Sequence, residues 1–279
     1  MRKQPKYDWA TLCIRTIQQL LGCAEYSVFY KGDHMTSKSL IRLFVGIGLL
    51  SLVAACAVNP AVQMKEEFWS QTDRSVVVAL ANLPEAMPHK EGPQGLLDLA
   101  INNAMADQLS KALKTITLTD SYGQTRSEVV KRMQEKGMKS SVYDKTVDSN
   151  ALKDFHSEDK SRAYASKDFR PLKAELDGAD RVLLFTVVAV GTQRSYYGFI
   201  PTSRPTAVLN ARGEIIDLET NEILWRQMTT DSAAIDDPWD EPPEFSNVHA
   251  AVQNVILAAR QSMVYLLFAN SPAGAPAAK

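Results

Sequence analysis

Cysteine is nearly absent. Of the three in 279 residues, Cys13 and Cys23 lie in the first 55, and only Cys56 lies beyond. A disulfide scaffold and a thiolate metal site are therefore excluded for the main body of the chain. Charge of one sign is lacking too. With 31 Lys and Arg against 32 Asp and Glu, the net charge is −1, and no clustered positive charge suits the chain to nucleic acid. There is no His-Glu-x-x-His, no Walker loop, no Gly-x-Ser-x-Gly and no Gly-x-Gly-x-x-Gly, so the familiar signatures of zinc, nucleotide and acyl-transfer chemistry are missing. The later histidines, His89, His156 and His249, show no ligand spacing, whereas a catalytic zinc needs about three ligands. What is present is ordinary globular arithmetic, 45% hydrophobic and 23% charged, enough for one large domain or two small ones.

The apolar stretch Leu43–Val53 has 11 residues. As a helix it would cover roughly 16 Å at 1.5 Å per residue, short of a ~30 Å hydrocarbon core. With Met35 as a start and Lys38 and Arg42 before the apolar stretch, residues 35–55 read as a cleaved export signal. Val53-Ala-Ala-Cys56 resembles the lipobox of bacterial lipoproteins, with Val53 in place of the commoner Leu. The resemblance implies diacylglyceryl transfer to the Cys56 sulfur, cleavage before it and acylation of the new amino group. The only prosthetic group expected is this covalent lipid. Ala57, not Asp, follows the cysteine, which by the same analogy implies the outer membrane. Residues 1–34 fit this plan only as a mis-assigned upstream extension; the rival reading is a genuine extension with its own small helix. Without residues 1–55, 224 residues remain, and the seven Lys and Arg and three Asp and Glu removed leave a net charge of −5. Several acyl chains at ~0.8 kcal/mol per buried methylene would hold such a body permanently on a bilayer.

Residues 56–73 then read as a lipidated tether, 74–270 as one domain and 271–279 as a disordered tail. Arg74–Ala81 is a buried-strand signal, and Pro84, Pro88, Gly92 and Pro93 mark a loop. Leu97, Ile101, Ala104, Met105, Ala112, Leu113 and Ile116 recur at helical spacing and predict one amphipathic helix on the sheet. Thr125-Arg-Ser-Glu128 has capping-box form, with Gly137 closing the helix it begins. Met138–Tyr143 reads as an edge strand, and residues 144–167 as a polar excursion with a helical turn. Leu172–Leu176 reads as a short helix ended by Asp177-Gly178, and Arg181–Val190 is the strongest strand signal. Thr206–Leu218 alternates as a strand should, and Asp217–Trp225 reads as a hairpin. Ser246 is placed to cap a last helix whose stripe includes Val248, Val252, Val255, Ile256, Ala259, Met263 and Leu267. The order predicts an α/β fold: a single mixed sheet with covering helices and an antiparallel meander in the C-terminal half.

Leu176-Asp-Gly-Ala-Asp180 running into Val182-Leu-Leu184 resembles the Gly-Ala-Asp-then-strand signature of a lipoprotein superfamily. That group includes the TolB amino-terminal domain, curli-secretion lipoproteins and lipoprotein activators of penicillin-binding proteins. Asp217-Leu-Glu-Thr-Asn-Glu-Ile-Leu-Trp225 is similar to their Asp-x-x-Thr-Gly-x-x-x-Trp turn, with Asn221 at the Gly position, where Asn accepts a left-handed backbone. The resemblance implies a non-catalytic adaptor or assembly subunit of the envelope. It supports the fold more than any one activity.

Two segments carry candidate function. Asp231–Glu244 holds Asp236, Asp237, Asp240, Glu241 and Glu244 around Trp239; calcium is conceivable there, but the spacing lacks an EF-hand glycine and reads as a solvated acidic loop. Gln193–Arg204 places Tyr196, Tyr197 and Phe199 between Arg194 and Arg204 in the connection between two meander strands, the composition of a binding hot spot. The alternative is that this loop folds back over a sheet edge or a helix. The link from Val190 to Thr206 is too short and too polar for pore-forming hairpins. The expected protein is a non-catalytic outer-membrane lipoprotein of the periplasmic face, held by Cys56 and binding envelope proteins, with a homo-oligomer possible and no nucleic acid. The alternatives are a subunit of an oligomeric secretion or transport assembly, and an envelope hydrolase.

Overall fold

Six consecutive apolar residues, Val76–Ala81, form strand β1, buried on both faces. In a computed structural model of the chain, which describes residues 60–271 apart from 243 and 270, β1 lies inside a seven-stranded mixed sheet. The strands are β2 (Met87–Glu91), β3 (Ser140–Val147), β4 (Arg181–Tyr197), β5 (Ile200–Pro201), β6 (Thr206–Asp217) and β7 (Ile223–Ala234), and the main order is β3-β1-β4-β6-β7. β1 runs parallel to β3 and β4, whereas β4, β6 and β7 form an antiparallel meander. Among the described residues the helices are α1 (Glu67–Ser70), α2 (Leu96–Met105), α3 (Asp107–Leu113), α4 (Thr119–Glu135), α5 (Leu172–Glu175) and α6 (Ser246–Phe268), with a 3-10 turn at Ser149–Ala151. This is the predicted α/β architecture.

Alternation on the long strands divides the interior in two. Leu183 and Phe185 of β4, Leu209 and Ile215 of β6 and Trp225 of β7 share one apolar cluster with Val129 of α4 and Val252, Val255 and Ala259 of α6. Gly213 sits under that cluster. A Cβ there would lie 2.7 Å from the Trp225 ring and 2.8 Å from the Met263 sulfur, so the missing side chain is the room Trp225 occupies. Val182, Leu184, Ile216 and Leu218 form a second cluster with Ala165 of the excursion and with Phe169, Leu172 and Leu176 just after it. The end of the excursion and α5 thus cover the opposite face of the sheet.

Several expectations are corrected by tertiary context. The Pro84–Pro93 loop contains β2, which pairs in parallel with the far half of β4, Met87 opposite Gly191. Gly191 (φ 132°) permits this approach, since a Cβ would fall 2.1 Å from the Met87 carbonyl oxygen. The single helix expected over 97–116 is α2 and α3, broken at Ala106 (φ −91°, ψ 2°). The break separates the two halves of the stripe: Leu113 and Ile116 enter the core, while Leu97 stays exposed, as does its neighbour Leu96. Thr125 is not a cap. α4 begins at Thr119, and the Thr125 hydroxyl donates back to the Ser121 carbonyl at 3.0 Å. Ser246 is not the cap either but the first residue of α6; the cap position is Phe245, in a left-handed conformation (φ 48°).

The expected tether reaches into the described residues, and there it is docked. Val62 and Arg226 exchange backbone hydrogen bonds of 2.9 Å in both directions, and Phe68 and Trp69 of α1 are buried in the first cluster. Apolar side chains outweighed the tether-like sequence. The signal, Cys56 and residues 272–279 of the tail lie outside the described residues.

The residues that carry the superfamily resemblance hold the sheet together at one end. Asp180 accepts the Ser75 backbone N–H (2.9 Å) and hydroxyl (3.1 Å), clipping the start of β1 to the start of β4. Asp217 accepts the N–H groups of Glu219 and Thr220 at 2.9 and 3.0 Å, shaping the β6–β7 turn. Arg74 lies 3.7 Å from the Asp180 carboxylate and 2.9 Å from that of Asp217. The Ser75 N–H, followed by its hydroxyl and the charges of Arg74 and Lys173, holds the Asp180 carboxyl below its usual range. Its contribution to stability is therefore complete above the ordinary carboxylate value near pH 4 and lost as pH falls through the lower folded value. Asp180→Asn is expected to melt below the parent at pH 7, with the gap narrowing in melts taken progressively below pH 4. A gap independent of pH would remove the carboxylate charge from this clip.

Candidate interaction site

β4 does not stop where β1 leaves it. It continues to Tyr197, turns at Gly198 (φ 60°) and returns as β5, with Tyr196 opposite Pro201 and Tyr197 opposite Ile200. The aromatic segment expected to be a loop is thus a hairpin tip built on the longest strand, and strand alternation sorts its side chains. Arg194 and Tyr196 turn to the face that carries Thr192, and all three line a groove of about 300 Å³ with His89, Leu109 and Trp239. The Arg194 guanidinium lies 4.7 Å from the Trp239 ring centroid and 5.9 Å from that of Tyr196, while its Nε donates to the Ser203 carbonyl at 2.8 Å. Arg204 pairs with Asp237 at 2.8 Å. Of the five candidate contact residues, Arg194 therefore packs against Trp239 of the acidic loop, Tyr196 shares the groove with it, and Arg204 is ion-paired to the loop.

Tyr197 is the outward member of the strand, 72% exposed, and Phe199, in the turn, is 54% exposed while it also lines the groove. Beside them the hairpin touches the start of α2: the Gly198 N–H donates to the Pro93 carbonyl at 3.1 Å, and Gly198 faces the Asp98 carboxylate. Leu96, 89% exposed, and Leu97, 73% exposed, project from that first turn. With Ile200, five large apolar side chains gather around one end of β4, a concentration uncommon on a soluble surface without a partner. Leu97 was read as part of a core stripe because its helical spacing matches one, and Leu96 was not singled out. Trp239 was visible only as an aromatic inside an acidic loop.

The histidines fall on separate elements. His89 Nε2 lies 3.1 Å from the Val190 carbonyl in the groove, His249 Nε2 lies 3.0 Å from the Ala112 carbonyl, and His156 is on the exposed excursion. Among the described residues no three His, Cys, Asp or Glu side chains are grouped as a metal site requires, and no helix is long and apolar enough to cross a membrane. Burial lowers the pKa of Lys90, whose ammonium donates to Asn103 at the edge of the groove.

No family model matches the chain, and no curated protein sequence does. Among solved structures it is similar to a PelC dodecamer from Paraburkholderia phytofirmans, at 9% identity and a TM-score of 0.31, covering 75% of this chain and 95% of that one. It is also similar to a minor lipoprotein from Acinetobacter baumannii (12%, TM-score 0.28, 71% and 92%) and to the lipoprotein GNA1162 from Neisseria meningitidis (18%, TM-score 0.23, 66% and 99%). At these scores the likeness assigns neither a family nor an activity.

Proposed function

We propose that the protein is a non-catalytic, lipid-anchored component of the bacterial envelope, held through Cys56 at the periplasmic face of the outer membrane. Its α/β domain recruits other envelope proteins through the exposed end of β4. The observation that carries the reading is the position of the apolar tip relative to where the chain joins the domain. Val62 sits beside Arg226, which pairs across Glu214 to Leu184 near the start of β4. Tyr197 lies about 40 Å further along that strand at ~3.3 Å per residue. Cys56 lies six positions before Val62, a reach of at most about 20 Å. An acylated Cys56 would keep that end of the domain within about 20 Å of the bilayer and leave the apolar tip, at the other end of β4, available to a protein partner. Confinement to one leaflet raises the effective concentration of the tip near membrane-bound partners.

The test pairs two variants in the native host. Cys56→Ser should leave unprocessed precursor with no incorporation of a fatty-acid probe, and normal labelling would remove the anchor. The triple variant Tyr197→Ser, Phe199→Ser, Leu97→Ser should remain labelled and keep its melting temperature to within a few degrees, because these side chains are exposed. It should also lose the partners crosslinked in intact cells. Unchanged crosslinks would remove the tip from recruitment, and a ladder of the chain with itself would favour the oligomeric-assembly reading.

A further inference from the structure

A second cavity, of about 350 Å³, lies at the opposite end of β4, between the segment leading into α1 and the excursion. Arg181, the first residue of β4, is one of its lining residues and is 4% exposed. Its guanidinium carbon stacks 4.8 Å from the Phe68 ring centroid, and one nitrogen, Nη2, donates to the Gln71 side chain. Nε and Nη1 are buried and have no hydrogen-bond partner. Among the described residues no carboxylate forms an ion pair with Arg181. Three acids act on it through their charge, Asp217, Asp180 and Asp73, and the first two are engaged by Arg74.

A buried guanidinium with two orphaned donors and no carboxylate in ion-pair contact is an expensive arrangement. Charges removed from water persist when they are paired or fully hydrogen-bonded, and an orphaned buried donor calls for a missing partner. Two further cations, Lys65 and Arg162, line the same cavity. Of its two acids, Glu222 is tied to Arg162 at 2.9 Å, and Glu67 lies on the exposed side of α1. Phe68, Val62 and Ile223 supply apolar wall. The excess of cations, the unspent donors and the space coincide at one place.

We infer that this cavity is an anion site, which binds a carboxylate or phosphate group against Arg181 with Lys65 at its rim. The group can be carried by a free small molecule or by the headgroup of an anionic lipid, and both present the same oxygens to the guanidinium. The inference stands apart from the recruitment role, since it needs neither the tip nor an acylated Cys56.

The experiment uses the full chain at constant ionic strength, with inorganic phosphate and acetate as probes against chloride, read by calorimetry and thermal shift. One of the two should bind saturably and raise the melting temperature. Arg181→Gln should weaken that binding about tenfold or more, the effect expected of a lost charge-assisted contact, and Arg181→Lys should recover part of it. If Arg181→Gln does not fold, Lys65→Glu, at an exposed position, should weaken binding in the same direction. Vesicles separate the two sources: a preference for phosphatidylglycerol over phosphatidylcholine that Arg181→Gln abolishes identifies a lipid headgroup. Binding of the soluble probes without that preference identifies a free anion. If neither probe and neither vesicle distinguishes the parent chain from the Arg181 and Lys65 variants, the site is overturned. Repeating the titration on Cys56→Ser keeps this outcome separate from any failure of the anchor.

Discussion

Glu214→Ala is expected to be among the most damaging single substitutions in the domain, costing about 3–5 kcal/mol. The Glu214 carboxylate lies 2.7 Å from Arg226 Nε, and both side chains are almost wholly buried, 6% and 8% exposed. The two residues face one another directly across β6 and β7. Arg212 approaches the same carboxylate at 2.9 Å from its own strand. Truncating the acid would strand one guanidinium in the interior and a second at its margin. For a domain of this size the loss corresponds to a fall in melting temperature on the order of 10 °C. The double variant Glu214→Leu, Arg226→Met should recover most of it, because an apolar pair of similar volume carries no desolvation cost. A mild effect of Glu214→Ala would mean that water reaches Arg226.

Asn221→Gly is the second large effect, and it separates two roles of one residue. Asn221 has φ 66°, a conformation Gly would adopt more easily. On turn geometry alone the substitution should be neutral or stabilising. Yet the Asn221 side chain is fully buried: its Oδ1 accepts the Phe169 N–H at 2.9 Å, and its Nδ2 donates to the carbonyls of Ala165 (3.1 Å) and Lys167 (2.9 Å). Phe169 and Ala165 belong to the second apolar cluster, so the amide fastens the excursion over the sheet. Removing it orphans buried backbone groups at about 1–3 kcal/mol each, for a net loss of about 2–4 kcal/mol. Asn221→Ala should cost a further 1 kcal/mol or so for a left-handed alanine. Hydrogen exchange should show the loss concentrated over residues 163–169. An Asn221→Gly chain as stable as its parent would reduce the residue to a turn former.

Asn221 also illustrates what a sequence exposes and what it hides. Its tolerance of the turn was readable from residue type, because the backbone preference is local. Its hold on Phe169, 52 residues away, was not, because no periodicity marks which distant backbone a buried amide will reach. The tip divides along the same line. Tyr196, Tyr197, Phe199, Arg194 and Arg204 stood out by composition, but the alternation of a strand extended to Tyr197 is what turns Arg194 and Tyr196 into the groove and leaves Tyr197 outside. Arg181 drew no notice. A basic residue opening a strand is unremarkable until Phe68, brought in from a segment read as tether, closes over it.

The sequence by itself determined the α/β class, the main strands and the last helix, since apolar alternation and helical stripes act over a few residues and survive any particular packing. The pairing of β2 with the far half of β4, the docking of residues 60–73 and the break at Ala106 were decided only in three dimensions. Each depends on surfaces offered by elements remote in the chain: an unpaired strand edge, an apolar pocket beneath α1, a core that accepts Leu113 and leaves Leu96 outside. Local propensities of a few tenths of a kcal/mol per residue yield to such burial, which is worth about 1.5–3 kcal/mol for one large apolar side chain.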